Sequence, residues 1–157
     1  MDENNNLKKV IDTHGDNLYR ICLIMLGNKQ DAEDVLQETF LKYMQKAPKF
    51  RDDTHEKAWL FRCVSNMCKD MLRFRKRHRY ENIDDLEVPY IMEEDRLILE
   101  EIMTLSTKYK EVLILYYSEG YKISEIAEMI QSSQSTVKKR LERGRNLLKN
   151  NLKEQLL

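Results

Sequence analysis

Asp34, Gln37 and Glu38 are the residues whose types and spacing first suggest a specific chemistry, because their oxygens accept hydrogen bonds. Positions i, i+3, i+4 and i+7 of an α-helix share one face, so these three residues and Leu41 form a single stripe. This stripe is either ordinary solvated surface or a surface that another protein binds. The core-forming positions on the opposite side of the same predicted helix are Ala32, Val35, Leu36, Thr39, Phe40 and Tyr43.

The 3 cysteines and 3 histidines lack the spacing of a zinc site or a disulfide framework. Cys63 and Cys68 lie five residues apart on a predicted helix, which directs their side chains to different faces. H-E-x-x-H, C-x-x-C, a glycine-rich phosphate loop and a nucleophile elbow do not occur. The sequence predicts reduced, buried or half-buried thiols, including Cys22, and no metal site, cofactor, small-molecule substrate or catalytic residue.

A cationic helix near the C-terminus suits contact with nucleic acid. Residues 133–153 contain seven Lys or Arg residues and a single acid, Glu142. Long cationic side chains can reach phosphates, and one or two outward side chains can reach base edges in the major groove. A solvated helix end, where the helix dipole favours Lys and Arg, is the plainer alternative. The predicted outward positions are Ser135, Lys139, Glu142, Arg143 and Asn146, with Lys138, Arg140 and Arg145 beside them.

The ten-residue spacing from Ala127 to Val137, across a short polar turn, predicts a helix-turn-helix that presents this cationic helix. A small alanine lets two helices cross closely, and Ile126 and Val137 fill the angle between them. The hydroxyl of Ser132 is predicted to cap the second helix. The core-facing positions predicted on that helix are Val137, Leu141, Gly144 and Leu148.

Apolar periodicity and helix-ending residues predict helices along most of the chain. Gly27 is predicted to end the first helix, Asp31 to begin the second, and Pro48 to follow the end of the second. Ser106 is predicted to cap a later helix that Gly120 closes. The predicted helices cover residues 16–26, about 31–46, about 57–77, a segment from about 93, 107–120, 123–130 and 134–152.

Composition and charge indicate two helical domains. The 157 residues are 34% charged and 41% hydrophobic with only 4 Gly and 2 Pro, which favours helices with exposed charged faces. The net charge is zero, but residues 1–79 and 105–157 are basic, while residues 80–104 hold nine acids against Arg96. We predict an all-α fold, with an N-terminal domain, an acidic linker that runs into the first helix of the next domain, and a C-terminal helix-turn-helix domain over these three ranges.

The sequence also predicts a cytoplasmic protein. No apolar run approaches the roughly 20 residues needed to cross a bilayer. The first residues, MDENNNLKK, lack the apolar segment of a signal peptide. We therefore expect no insertion into a membrane.

Three motifs, in this order, resemble bacterial RNA polymerase sigma factors of the extracytoplasmic-function group: DAEDVLQETF, then WLFRCVSNMCKDMLR, then EIAEMI followed by STVKKRLERGRNLLK. The resemblance extends from about Leu18 to Leu148. Its specific part is the D-x-x-Q-E helix followed by the W-L helix, because a helix-turn-helix alone is widespread. The resemblance implies a sigma factor that binds core RNA polymerase and promoter DNA and directs transcription initiation.

The resemblance also implies roles for single residues. In this family the polar stripe docks on the clamp helices of the polymerase's largest subunit, so Asp34, Gln37, Glu38 and Leu41 are predicted to bind polymerase. A carboxylate and an amide suit paired arginines on a partner surface, through charge-assisted contacts that fix orientation.

In the same family, the loop before the W-L helix captures a base flipped out of the minus-ten promoter element. Phe50 and Asn66 match the positions that line this pocket, where an aromatic ring and an amide suit an unpaired base. Arg62, Lys69 and Arg73 are predicted to hold the phosphates of that strand.

The neighbouring residues of this region have more than one interpretation. Trp59 is either a packing anchor, which we favour, or part of the pocket. The basic run over residues 75–79 is either a solvated helix end or a source of non-specific affinity for DNA. The loop RDDTHEK lacks the glycine common there, so the sequence does not predict the preferred base.

By the same resemblance, the C-terminal domain reads the minus-thirty-five element as duplex DNA. Lys122 stands where the first helix of the motif often has a serine cap. Glu142 either accepts a hydrogen bond from a cytosine amino group or pairs with Lys138 or Lys139. The residues predicted to contact the minus-thirty-five element are Ser135, Thr136, Lys138, Lys139, Arg140, Glu142 and Arg143.

An anti-sigma factor is a predicted partner, because members of this group are commonly held inactive by one. The acidic linker either follows a basic path on the polymerase or is a solubilising spacer.

The alternative functions are a free-standing helix-turn-helix regulator, a metal-dependent enzyme, and an interaction protein that binds polymerase without directing initiation.

Overall fold

The computed structural model of the protein describes residues 2–78 and 93–156. Within these two ranges the chain is helical and contains no strand, so the prediction of an all-α fold is confirmed. The predicted linker segment over residues 80–92 and the basic residue Arg79 lie outside the described residues. The chain divides into two compact units.

The first compact unit, Met1–Glu87, contains α1 (Asp2–Leu26), α2 (Lys29–Lys46) and α3 (Asp53–His78). α1 packs against both other helices, and α2 also packs against α3. Each helix turns an apolar face inward at the helical spacing, which is the arrangement that a three-helix core requires. The larger buried residues of this unit include Leu18, Ile21, Ile24, Met25, Val35, Phe40, Leu60, Phe61 and Val64.

α1 begins at Asp2, earlier than the predicted start at residue 16. Val10, His14 and Leu18 recur every four residues and are all buried, so one inward face runs along most of the helix. The polar type of His14 interrupts the apolar pattern, and the sequence therefore indicates only the last turns of this helix.

The turn between α1 and α2 forms where the sequence predicts it. Gly27 has a φ of 63° and donates its N–H to the Leu23 carbonyl at 2.7 Å, which ends α1. The cap of α2 is Asn28 and not Asp31, because the Asn28 side chain accepts the N–H of Asp31 at 2.9 Å. The carboxylate of Asp31 pairs instead with Arg75 of α3.

Arg75 is a structural residue that ties the end of α3 to this turn. Besides its ion pair with Asp31, Arg75 donates to the Leu26 carbonyl at 2.7 Å. One guanidinium thereby satisfies a carbonyl at the C-terminal end of α1 and a carboxylate in the first turn of α2. The basic run that begins at residue 75 is therefore not wholly a solvated or DNA-facing helix end.

The second compact unit, Val88–Leu157, contains α4 (Glu93–Thr104), α5 (Thr107–Leu113), α6 (Ile123–Met129) and α7 (Gln134–Leu156). α4, α5 and α6 all pack against α7. After α5 the chain continues in a wider π-helical turn over Ile114–Ser118. The buried residues of this unit include Met103, Val112, Leu113, Leu115, Ile126, Met129, Val137 and Leu141.

Two predicted boundaries of this unit are confirmed. Ser106 is the N-cap residue of α5, and it caps the helix through its carbonyl, which accepts the N–H groups of Tyr109 and Lys110, while its side chain makes no capping hydrogen bond. Gly120 follows the π-helical turn with a φ of 72°, a conformation that glycine adopts without strain. The predicted stop at Gly120 is therefore also confirmed.

Gly144 of α7 packs closely against α5. A Cβ atom at this position would lie 3.0 Å from Leu113 Cδ1 and 3.3 Å from Leu113 Cγ, which is tighter than ordinary packing. Val137 and Leu141 are buried on the same face of α7, and Leu148 is half-buried. The predicted core face of this helix is confirmed, and the glycine has a packing reason.

The turn between α6 and α7 closes α6 with a Schellman motif. Ser132 donates its N–H to the Ala127 carbonyl at 2.9 Å, and Gln131 donates to the Glu128 carbonyl at 3.2 Å. The side chain that caps α7 is Ser133, whose Oγ accepts the N–H of Thr136 at 3.1 Å. The predicted cap at Ser132 is wrong, because the backbone of that residue is needed to end the preceding helix.

Replacing Gln131 with glycine is expected to stabilise the second unit. Gln131 has a φ of 55°, in the left-handed region where a side chain is strained by about 1–2 kcal/mol. Glycine removes this strain but loses more chain entropy on folding, so the net gain is roughly 0.5–1 kcal/mol. Urea unfolding of the Gln131→Gly chain measures the gain. Gln134→Gly in the first turn of α7 is the control, and it is expected to destabilise the chain.

The three cysteines are buried and form no disulfide, as predicted. A hydrogen bond to Cys68, together with burial, raises the pKa of the Cys22 thiol. Burial also raises the pKa of Cys63. These side chains act as small apolar groups inside the first unit.

Candidate functional site

The outer face of α2 presents the predicted stripe to solvent. Asp34, Gln37, Glu38 and Leu41 are all exposed, and one oxygen of Asp34 accepts the side-chain amide of Gln30 at 3.0 Å. The inward face of α2 fixes this orientation, since rotating the helix would expose its apolar residues. The buried residues of that inward face are Ala32, Val35, Thr39 and Phe40.

Met44 extends this outer face, although the sequence motifs did not indicate it. Leu41 is 49% exposed and Met44 is 52% exposed, one helical turn apart on α2. The stripe therefore has an acidic and amide half followed by an apolar half. The three-residue spacing from Leu41 to Met44 is the signal in the sequence that identifies this extension.

An aromatic cluster forms around Phe50, which lies between α2 and α3. We define it as Tyr43, Phe50, His55 and Trp59. The Phe50 ring stacks on Tyr43 with centroids 6.1 Å apart, and meets Trp59 and His55 edge-on at 5.9 and 5.3 Å. Trp59 also contacts Tyr43 edge-on at 6.0 Å, so it packs within this cluster, and whether it also lines the pocket stays a prediction.

A hydrogen bond to Glu56, which also contacts His14, holds Tyr43 of this cluster in place. Its hydroxyl donates to one oxygen of Glu56 at 2.9 Å, and the other oxygen of Glu56 lies 3.3 Å from Nε2 of His14. Burial and the bond to Glu56 raise the pKa of Tyr43 to about 12, so the phenol keeps its hydrogen at neutral pH. Neither His14 nor Glu56 was indicated by the sequence.

A polar face runs along α3 from this cluster. Asn66 and Arg73 are exposed, Arg62 and Lys69 are half-buried, and they follow Trp59 at intervals of three or four residues. Asn66 lies two turns beyond Trp59, a rise of about 10 Å along the helix. The indole ring of Trp59 and the amide of Asn66 thus lie at separate points along one face of α3.

Arg73 on this face forms an ion pair with Asp70. Exposed ion pairs of this kind are worth roughly 0–1 kcal/mol, so a phosphate can compete for the guanidinium. The face can bind a single strand through its aromatic end, its amide and its cations.

The outward face of α7 carries the residues predicted to contact duplex DNA. Ser135, Lys138, Lys139, Glu142 and Arg143 are exposed, while Thr136 and Arg140 are half-buried. Thr136 is engaged at the start of the helix, because its N–H and its hydroxyl both bond to the Ser133 hydroxyl. Thr136 is therefore the residue that the Ser133 cap binds at the start of α7.

A tyrosine from the neighbouring π-helical turn orients one of the arginines on α7. Tyr117 accepts a hydrogen bond from Arg145 at 2.8 Å. This contact restricts a long side chain before any ligand binds, and no pattern in the sequence indicates it. Against the opposing effect of burial, Arg143 and Lys108 lower the pKa of the nearby Tyr109 phenol on α5.

Among the residues that the structure describes, no group of three or more His, Cys, Asp or Glu side chains is arranged to hold a metal ion. No helix in the described ranges combines the length and the apolar character needed to cross a membrane. The candidate surfaces described above are the α2 stripe, the face of α3 with its aromatic cluster, and the outward face of α7.

Both compact units match known family models. The Sigma-70 region 2 model matches residues 10–78, which include the α2 stripe and the aromatic cluster. The Sigma-70, region 4 model matches residues 95–148, which include the outward face of α7. Each of the three candidate surfaces therefore lies within a matched segment.

Similar proteins match this chain over most of their own length. ECF RNA polymerase sigma factor SigW of Bacillus subtilis (strain 168) is 27% identical, over 92% of this chain and 88% of that protein. ECF RNA polymerase sigma factor SigL of Mycobacterium tuberculosis is 30% identical, over 94% and 89%. The sigma factor RpoE, solved in complex with the anti-sigma factor NepR from Bartonella quintana, superposes with a TM-score of 0.76. That similarity, at 24% identity over 94% of this chain and 97% of the solved chain, shows the fold.

Proposed function

Because this chain belongs to the extracytoplasmic-function group of RNA polymerase sigma factors, we propose which of its surfaces contact the polymerase and the promoter. A sigma factor binds core RNA polymerase and directs promoter-specific initiation. We assign polymerase binding and the minus-ten element to residues 1–79, and the minus-thirty-five element to residues 105–157. Residues 80–104 connect the two.

The α2 stripe is the proposed docking surface for core polymerase. The observation that carries this proposal is the exposure of Asp34, Gln37, Glu38 and Leu41 on a helix whose other face is buried. Carboxylates and an amide can form charge-assisted hydrogen bonds with arginines of a partner. Leu41 and the adjacent Met44 add apolar area beside those contacts. Such a surface fixes both the register and the orientation of a partner.

The aromatic cluster and the polar face of α3 are proposed to bind the opened minus-ten strand. Phe50 provides a ring against which an unpaired base can stack, and Asn66 provides an amide for a base edge. Arg62, Lys69 and Arg73 follow along the same face and suit the phosphates of that strand. Binding of unpaired bases by this face would favour strand opening, because duplex DNA cannot make the same contacts.

The outward face of α7 is proposed to read the minus-thirty-five element in the major groove. Lys138, Lys139 and Arg140 suit phosphates, while Arg143 and Glu142 suit base edges. We also propose that Ser135 and Thr136 contact a phosphate of this element, because they lie in the first turn of α7 and a helix N-terminus favours a phosphate.

Two weak DNA contacts on one chain become effective when polymerase holds them in register, since the second contact is then intramolecular. We propose that the protein acts in the cytoplasm and uses no cofactor. We also propose that it catalyses no reaction itself, because the sigma factor family is not an enzyme family.

We further propose that an anti-sigma factor regulates this protein. A solved sigma factor of the same fold is in complex with one, which supports this proposal.

Run-off transcription with reconstituted holoenzyme tests the proposed function. Core polymerase with the chain is expected to initiate at a defined start on a cognate promoter, and core polymerase alone is not. A chain that binds a promoter fragment tightly without polymerase, and gains nothing from core polymerase, would instead be a free-standing regulator. A chain that binds core polymerase but supports no initiation would be an interaction protein only.

A further inference from the structure

The carboxylate of Glu56 connects all three helices of the first unit. Glu56 stands near the start of α3, while His14 belongs to α1 and Tyr43 to α2. One carboxylate oxygen lies 3.3 Å from His14 Nε2, and the other accepts the Tyr43 hydroxyl at 2.9 Å. Both oxygens are therefore directed at side chains of other helices, and this fixes the orientation of the carboxylate.

The burial of these three side chains makes their hydrogen bonds costly to break. His14 is 8% exposed, and Glu56 and Tyr43 are half-buried. Polar groups withdrawn from water are costly to leave unpaired, so the three side chains favour the arrangement in which both contacts are made. A phenol bonded to a charged acceptor is held more firmly than one bonded to a neutral group.

The Tyr43 ring in turn supports Phe50. The two rings are stacked with an interplanar angle of 20°, and Phe50 lies outside the helices, in the segment between α2 and α3. The other neighbours of Phe50, His55 and Trp59, meet it edge-on. Tyr43 is thus the ring that lies face to face with Phe50, and its hydroxyl is the point at which its position is fixed.

We propose that Glu56 is a positioning residue for base capture, acting with His14 to hold Tyr43 so that Phe50 presents a preformed aromatic wall. This inference rests on the proposed capture of a minus-ten base by Phe50. Glu56 does not read the base itself, because its two oxygens are directed at His14 and Tyr43. A preformed wall lowers the ordering cost of binding, and its fixed shape sharpens the difference between one base and another.

The test uses holoenzyme reconstituted from the full-length chain and core RNA polymerase, on a promoter with a mapped start. Each minus-ten position is replaced in turn by the other three bases, and the rate of open-complex formation is measured for every template. Tyr43→Phe removes the hydroxyl and keeps the ring. Glu56→Ala removes the acceptor, and Glu56→Gln retains an amide oxygen. Tyr116→Phe is the matched control, because it removes a hydroxyl from an exposed tyrosine of the second unit.

The unaltered chain is expected to prefer one base strongly at the captured position. Tyr43→Phe and Glu56→Ala are expected to reduce that preference by about 5- to 10-fold, the size of one typical hydrogen bond. Glu56→Gln is expected to retain most of the preference, and Tyr116→Phe all of it. Trp59 is the single tryptophan, so a changed emission in the Tyr43→Phe chain independently reports a displaced cluster.

Phe50→Ala separates this inference from the proposed function. A base preference that survives Phe50→Ala overturns capture by Phe50 and the positioning role together. A preference lost in Phe50→Ala but fully kept in Tyr43→Phe and Glu56→Ala leaves base capture standing and overturns the positioning role. Initiation reduced equally on all templates, with a lowered unfolding temperature, indicates a stabilising role only and also overturns the proposal.

Discussion

Exchanging Asp34 and Glu38 for lysine is expected to weaken the binding of this sigma factor to core RNA polymerase by at least about 100-fold, or about 2.7 kcal/mol. Both carboxylates are exposed on α2, and Asp34 is held by the side chain of Gln30. Reversal places lysines opposite the basic partner surface that the stripe is proposed to bind, so attraction is replaced by repulsion. Titration of labelled chain with core polymerase at fixed salt measures the loss.

A charge reversal elsewhere in the same unit provides the control. Asp12 and Asp16 are also exposed acids four residues apart, but they lie on α1. The Asp12→Lys, Asp16→Lys chain changes the net charge by the same amount and is expected to bind core polymerase nearly as the unaltered chain does. Equal losses in both double variants would mean that overall charge, rather than the α2 stripe, governs binding. No loss in the α2 variant would rule out the proposed docking surface.

Replacing Arg143 with alanine is expected to reduce promoter-specific initiation by about 5- to 150-fold, equivalent to 1–3 kcal/mol for one base contact. Arg143 is exposed on the outward face of α7, where its guanidinium can reach a base edge. Run-off transcription on templates with single substitutions in the minus-thirty-five element measures the effect. The loss is expected to be concentrated at one base pair, whose preference the variant relaxes.

Lys149→Ala is the matched control for this prediction, because Lys149 is an exposed cation on the same helix. Its removal is expected to lower initiation slightly and equally on all templates, as loss of a distant phosphate interaction does. If Arg143→Ala also acts equally on every template, Arg143 contacts a phosphate and reads no base. If transcription from the cognate promoter is unchanged, Arg143 has no role in recognition.

The helices and their inward faces could be predicted from the sequence because helical periodicity depends only on near neighbours. The stripe of Asp34, Gln37, Glu38 and Leu41 is exposed as predicted, and Val137 and Leu141 are buried as predicted. Periodicity failed where a buried residue is polar. The first part of α1 was not predicted, because His14 is buried on its inward face and the sequence does not distinguish a buried histidine from an exposed one.

Helix ends were predicted less well, for a reason visible at the two serines of the helix-turn-helix. Ser132 and Ser133 have the same capping chemistry, and the backbone geometry that ends α6 decides which of them can serve α7. Asn28 and Asp31 present the same choice at the start of α2. Asn28 caps α2, and Asp31, three residues later, pairs with Arg75 of α3.

The sequence by itself determined the all-α class, the outward stripes and the sigma factor family, since these depend on residue type and local spacing. Only the tertiary structure decided that Glu56 lies between His14 and Tyr43, 42 and 13 residues away along the chain. It also decided that Arg75 reaches Asp31, 44 residues away. The physical reason is that a helix fixes the direction of each side chain relative to its own axis, whereas polar partners are set by where separate helices cross.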